Sequence, residues 1–318
     1  MNATLEILGI TGPIYLAIAL GYLSTRQGLF AKADMQVFGK FTINLALPAL
    51  LFNALSQRSI GEILNAHYLL AYALGSMVVI LGGLFWARKV KGHSLSYSSM
   101  MAMGMSCPNS GFVGYPIMLL TLGPVAGVAL ALNMVVENLL MIPFLLAVAD
   151  SDGGQPGQWK QVLWQTLKNL AKNPMIWGIV GGFLFSLSGW ALPAPLGRTV
   201  NLFAQASGAL SLFVIGGSLV GLPVRGMGPK VSQIAIGKLL LHPLVMWVVL
   251  TWFIPISDPV LRTAVLLTCA MPIMGIYPIL TQKHGHDGLS AATLLITTMA
   301  SFFTLNAMLW TLKDLSLL

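Results

Sequence analysis

Apolar runs of roughly 20 residues, the length that crosses the hydrocarbon core of a bilayer, recur ten times along this chain and leave few folds open to it. They cover residues 5–24, 36–55, 68–88, 97–120, 124–149, 174–190, 199–222, 231–254, 259–281 and 290–312. None alternates polar with apolar residues over strand lengths, so the expected class is an all-α integral membrane protein and not a membrane barrel. Composition agrees: 8% of residues are charged, against roughly a quarter in soluble domains, and the mean hydropathy is +0.82. The net charge of +8 sits in short basic clusters between apolar runs, where membrane orientation calls for it, so no nucleic-acid partner is expected. The first run carries Glu6 rather than a basic segment and has no small-residue cleavage pattern, so it reads as a retained span.

Counting alternate loops, one side holds twelve basic residues, among them Arg26, Lys32, Arg88, Lys89, Lys91 and Lys172, and the other holds Arg58, Arg198, Arg262 and Lys313. The richer side is expected in the cytoplasm and both termini outside, in the cell's inner (plasma) membrane. The longest loop, 150–173, is polar and turn-rich at Asp152-Gly153-Gly154-Gln155-Pro156-Gly157 and divides the runs five and five. An odd number of spans per half inverts the second half, which gives a first repeat at 1–148, a cytoplasmic linker at 149–173 and a second repeat at 174–318. The third run ends in Arg88 and Lys89, whereas its counterpart, the eighth, follows Arg225 and Lys230, so equivalent helices run in opposite directions.

Two runs are interrupted in the same way. The fourth contains Cys107-Pro108-Asn109-Ser110-Gly111-Phe112-Val113-Gly114-Tyr115-Pro116, and the ninth Met271-Pro272-Ile273-Met274-Gly275-Ile276-Tyr277-Pro278; they share Pro-x-x-Gly followed by Tyr-Pro. Each proline removes a backbone donor, and broken backbone at membrane depth persists only where protein or a wet cavity covers it. Such paired interruptions are the sequence mark of a transporter binding site. Pro108, Asn109, Ser110, Gly111, Pro272 and Ile273 are therefore candidate substrate-binding residues, with Asn44, ahead of Pro48, a further candidate that could instead bond within its own helix. Asn109 could cap a half-helix, line the site, or do both; Ser110 and Gly111 could serve close packing.

Glu137 is the acidic residue deepest in any run, and Asn133 shares its helix face. Intramembrane carboxyls mark ion or proton paths, so Glu137 and Asn133 are candidates for proton coupling, with a neutral, structural glutamic acid as the alternative. Lys238 lies eight residues after Lys230 and is expected to reach the cytoplasmic interface along its own stem. The two cysteines, Cys107 and Cys269, form no framework or metal pattern. His284-Gly285-His286 lacks a clear third ligand, so no metal site is expected. The methionines Met100, Met101, Met103 and Met105 read as packing residues. No phosphate-binding loop is present, so no cofactor and no enzymatic activity are expected.

The run Pro108 to Pro116 resembles the fourth-span signature of the auxin efflux carrier family, which spans bacterial anion carriers and plant auxin exporters. Asn44-Leu45-Ala46-Leu47-Pro48-Ala49-Leu50-Leu51-Phe52 resembles its second span, residues 270–278 its ninth, and Asn133-Met134-Val135-Val136-Glu137-Asn138 its fifth, where many plant members carry glutamine at the place of Glu137. The resemblance implies ten transmembrane helices in two inverted five-helix repeats, similar to bile-acid sodium symporters, with fourth and ninth helices crossing at Pro108 and Pro272. It implies a scaffold from 1–60 and 174–222, often dimeric, and a moving core from 68–148 and 231–312. It places Asn109 where the family contacts a substrate carboxylate. The expected function is a secondary active transporter of small organic anions, carboxylates above all, working by alternating access of the core against the scaffold, with proton or sodium as the candidate coupling ions. A sodium-coupled symporter of the bile-acid type is the nearest alternative, and a channel or membrane receptor for small anions the alternative of another class.

Overall fold

The structure, a computed structural model, describes residues 3–58, 64–152, 164, 168, 170–222, 228–285 and 287–314. Residues 153–163 of the expected linker, together with Arg225 and His286, lie outside the described residues. The elements are helices: α1 (Ala3–Arg26), α2 (Lys32–Ser56), α3 (Ala66–Val90), α4 (Leu95–Ser106), α5 (Ser110–Leu122), α6 (Val125–Asp150), α7 (Pro174–Ser188), α8 (Ala194–Ser218), α9 (Gly228–Trp252), α10 (Pro259–Ala270), α11 (Tyr277–Gln282) and α12 (Asp287–Asp314). Among the described residues seven helices, α1, α2, α3, α6, α8, α9 and α12, are long and apolar enough to cross a membrane. The other three apolar runs of the sequence are shorter pieces. The fourth is split into α4 and α5, the ninth into α10 and α11, and the sixth is the 15-residue α7.

Proline is tolerated inside four of these helices by one repeated device. A proline cannot donate to the carbonyl four residues back, and its ring crowds that carbonyl. In α2, α5, α6 and α9 a single wide turn precedes the proline: the amides of Leu47, Tyr115, Ile142 and His242 donate five residues back to the carbonyls of Thr42, Ser110, Glu137 and Gly237. Pro48, Pro116, Pro143 and Pro243 follow each by one residue. Glu137 and Lys238 both sit within such wide turns.

Two helix pairs approach backbone to backbone through glycine. A Cβ on Gly216 would lie 1.8 Å from the Ile18 carbonyl oxygen, and one on Gly21 2.0 Å from that of Phe213, so α1 and α8 touch along their main chains. Between α2 and α7, Cβ atoms on Gly178 and Gly182 would lie 2.6 Å and 2.9 Å from the carbonyl oxygens of Pro48 and Phe52. Small residues four apart allow such approaches in membranes. The remaining helices pack around the two breaks, with α3 against α4 and α9, α6 against α4 and α10, and α12 against α9 and α11.

Hydrogen bonds tie α1 to α12: Thr11 Oγ1 donates to Asn306 Oδ1 at 2.9 Å, Tyr15 Oη and Ser301 Oγ lie 3.0 Å apart, and Lys313 bonds Glu6 near both chain ends. Past the end of α6, Asp152 accepts from the Ser96 amide at 2.8 Å, which holds its carboxyl below the usual carboxylate range.

Candidate functional site

The two breaks satisfy one another. At the end of α4 the chain becomes extended at Cys107, and at the end of α10 it becomes extended at Met271. Pro108 and Ile273 then pair as an isolated antiparallel bridge: the Asn109 amide donates to the Pro272 carbonyl at 2.8 Å, and the Met274 amide to the Cys107 carbonyl at 3.1 Å. Unpaired backbone groups in a membrane interior are costly, and here each broken helix provides the partners the other lacks. The glycines of the repeated Pro-x-x-Gly have separate uses. A Cβ on Gly111 would press on Leu47 Cδ1 at 3.3 Å, while one on Gly275 would lie 3.2 Å from Ile215 Cδ1 and 3.7 Å from Asn109 Nδ2. Gly275 thus places no side chain against the Asn109 amide.

Asn109 caps a helix and keeps one donor unpaired. Its side-chain oxygen accepts from the Phe112 amide at 3.2 Å, closing the start of α5, yet its Nδ2 is buried without a hydrogen-bond partner. The residue is 4% exposed. A buried, unmade donor is unfavourable, and it lies at the N-terminal end of α5, where the helix dipole favours negative charge.

Behind the crossing, one face of α3 carries Tyr68, Tyr72 and Ser76 at four-residue intervals, and each reaches a different polar group. Tyr68 donates to Asn133 Oδ1 at 2.8 Å, and Asn133 Nδ2 donates to Thr268 Oγ1 on α10 at 2.8 Å. Tyr72 donates to Glu137 Oε1 at 2.9 Å, and Ser110, the residue after Asn109, donates to the same oxygen at 2.5 Å. Ser76 lies 3.1 Å from His242 Nε2, and His242 Nδ1 lies 3.0 Å from Lys238 Nζ. All six of the groups Tyr68, Tyr72, Ser76, Asn133, Lys238 and His242 are fully buried.

Lys238 does not reach the interface. Its ammonium donates to the Cys269 carbonyl at 2.7 Å, at the C-terminal end of α10. A cation there meets both a carbonyl left free by the break and the negative end of the helix dipole, which holds the side chain inward against the solvation it would gain outside.

The structure brings Pro108, Asn109, Ser110, Gly111, Pro272 and Ile273 together with Glu137, while Asn133 joins through Tyr68 and Thr268. Asn44 is not brought to them: it is exposed on α2, with Nδ2 donating to the Lys40 carbonyl of its own helix at 2.7 Å. Sequence reasoning alone does not single out Tyr68, Tyr72, Ser76 and Thr268, while His242 shares a helix face with Lys238. The i, i+4, i+8 spacing of hydroxyls in the third run was a readable signal; Thr268 carried none. His284 pairs with Asp150 at 3.8 Å, and among the described residues no group of histidine, cysteine or acidic side chains could hold a metal ion.

Helical, multi-pass and built around two interrupted helices that complete each other, the molecule has the construction of a membrane transporter. The chain belongs to the family described as membrane transport protein, whose profile it matches over residues 10–311. It is accordingly a transporter and not an enzyme. It is 28% identical over 315 residues, 97% of each chain, to a protein of Rhizobium meliloti (strain 1021) named "Putative malonate transporter". It is 28% identical over 247 residues, 74% of this chain and 76% of the other, to the uncharacterized transporter YfdV of Escherichia coli (strain K12). Auxin efflux carrier component 3a of Oryza sativa subsp. japonica is 24% identical over 144 residues, 44% of this chain and 23% of the rice protein.

Proposed function

We propose that this protein is a secondary active carrier of small organic anions, carboxylates above all, in which a core built from α3–α6 and α9–α12 moves against a scaffold of α1, α2, α7 and α8. The observation that carries the reading is the buried, unpaired Asn109 Nδ2 beside the paired breaks. A carboxylate supplies the acceptor it lacks. The full-length relative named for malonate points to the same chemistry.

The ten-span inverted repeat is supported by packing. If spans one to five map onto six to ten, the pair α1–α8 maps onto the pair α7–α2. Both pairs are the ones closed through glycine, and in both the partners run parallel, Gly21 with Phe213 and Thr25 with Gly217 in one, Gly178 with Pro48 and Gly182 with Phe52 in the other. The twelve-to-four basic asymmetry supports external termini in a plasma membrane, and the layer of α1, α2, α7 and α8 is the surface through which a homodimer would form.

Coupling to protons is favoured over sodium by two details. Lys238 already places a positive charge on the Cys269 carbonyl, a ligand that a sodium ion entering the break would need. Glu137 is tied directly to Ser110 on the substrate-side turn, so its protonation is felt at the crossing.

The deciding experiment is counterflow of radiolabelled mono- and dicarboxylates in proteoliposomes. Asn109→Ala is expected to weaken transport affinity by about 1 to 3 kcal/mol, the worth of a hydrogen bond to a charged group, with folding and membrane insertion intact. An unchanged affinity in a folded variant would remove Asn109 from the site, and flux without saturation would favour a channel.

A further inference from the structure

Two cavities of about 620 Å³ and 510 Å³ open on the membrane face that carries Arg58 and Arg198, and they share Asn53, Gln57 and Asn201 in their walls. The second lies between α2 and α8 on one side and α5 with the turn before α6 on the other. It runs from Arg58, just past the end of α2, down that helix to Leu50. Its inner end is formed by Tyr115 and Gly208. Beneath that floor Ser211, one turn beyond Gly208, donates to the Phe112 carbonyl at 3.0 Å, within the turn that Asn109 caps.

Among the described lining residues the charged side chains are Arg58 and Arg198 and none is acidic, and the shared wall is amide. Gln57 Nε2 donates to Asn53 Oδ1 at 2.7 Å, so the Asn53 oxygen is engaged and Asn53 meets an anion through its Nδ2. Clefts of one sign concentrate the opposite ion and speed its arrival. Volumes of this size suit a small ligand.

Resting on the organic-anion reading above, we infer that these joined cavities are a loading site for the anion, where Arg198 and the amides of Asn53 and Asn201 hold a carboxylate before it passes Tyr115 to reach Asn109. A dicarboxylate gains most, because one carboxylate can remain with the guanidinium while the other moves inward. Anionic lipid headgroups share this chemistry, and the test separates the two sources.

Exchange of malonate, succinate and acetate is measured in proteoliposomes of zwitterionic lipid, with substrate presented to one face at a time, for wild type and Arg198→Gln. Arg198 is exposed, so the variant is expected to fold. Half-saturation for malonate on the face bearing Arg198 is expected to rise on the order of 3- to 10-fold, the loss of one charge-assisted hydrogen bond in a wet site, with a smaller rise for acetate and none at the opposite face. No rise, or an equal rise at both faces, overturns the inference. A shift that appears only when phosphatidylglycerol is present assigns the cavities to lipid and also overturns it. Exchange by wild type with an unshifted variant removes this inference alone, whereas no exchange of any of the three anions by wild type removes the organic-anion reading and this inference with it.

Discussion

The layer of α1, α2, α7 and α8 closes over glycine, while the interior behind the crossing of α4–α5 with α10–α11 closes over hydrogen bonds. In the first, main chains meet with nothing between them: a Cβ at Gly216 or Gly21 would fall within about 2 Å of a carbonyl oxygen. Such contacts have no side chain that can change rotamer, so they hold or fail as a unit. In the second, Tyr72, Glu137, Ser110, Lys238 and His242 meet through single hydrogen bonds between side chains. One region is suited to staying fixed and the other to exchanging partners. That division matches a carrier in which one part anchors and the other moves.

The largest effect expected is at Gly216. Replacing it with leucine must force α1 away from α8, at about 3 kcal/mol, the upper end of ordinary overpacking effects. Thermal unfolding in detergent should show it as a large fall in midpoint. A variant as stable as wild type would mean that the glycine-closed layer yields as readily as the polar interior, and the contrast would be lost.

A smaller and different effect is expected at Glu137. Glu137→Gln keeps an acceptor oxygen for Ser110 and Tyr72, so stability should change by no more than about 1 kcal/mol. Organic-anion exchange should persist, while any dependence of uptake on an imposed pH gradient should disappear, because the side chain no longer titrates. Full retention of a gradient dependence seen in wild type would make Glu137 a structural member of the interior and send the proton elsewhere.

The smallest effect is expected where the two regions are tied near the chain ends. Glu6→Gln removes the charge from an exposed pair with Lys313, and exposed pairs are screened and contribute little. Neither the unfolding midpoint nor the exchange rate should move measurably, since Thr11–Asn306 and Tyr15–Ser301 still join α1 to α12. A marked change in exchange with stability unaltered would show that this exposed tie restrains the moving part.

Much of this could be read before the structure, because membrane solvation acts residue by residue. Apolar runs of spanning length, the basic asymmetry and the repeated Pro-x-x-Gly with Tyr-Pro follow from composition and local stereochemistry, and they were enough to point to interrupted helices and to Asn109. Lys238 shows where that reasoning stops. From sequence its distance to Lys230 favoured an outward stem; the carbonyl of Cys269 that draws it inward lies 31 residues away in the chain. Asn44 marks a choice that sequence left open: between facing the site and bonding within its own helix, the structure shows the second, with Nδ2 on the Lys40 carbonyl.

The amino-acid sequence by itself determined which segments are helices, where two of them break and which residues stand at the breaks, since these depend on backbone donors, side-chain polarity and length. Only the tertiary structure decided how the breaks are satisfied: Asn109 on Pro272, Met274 on Cys107, Lys238 on Cys269 and Tyr72 with Ser110 on Glu137. Each of those bonds joins groups far apart in the chain, and in an interior without water a freed donor or acceptor must take whichever partner packing delivers to it.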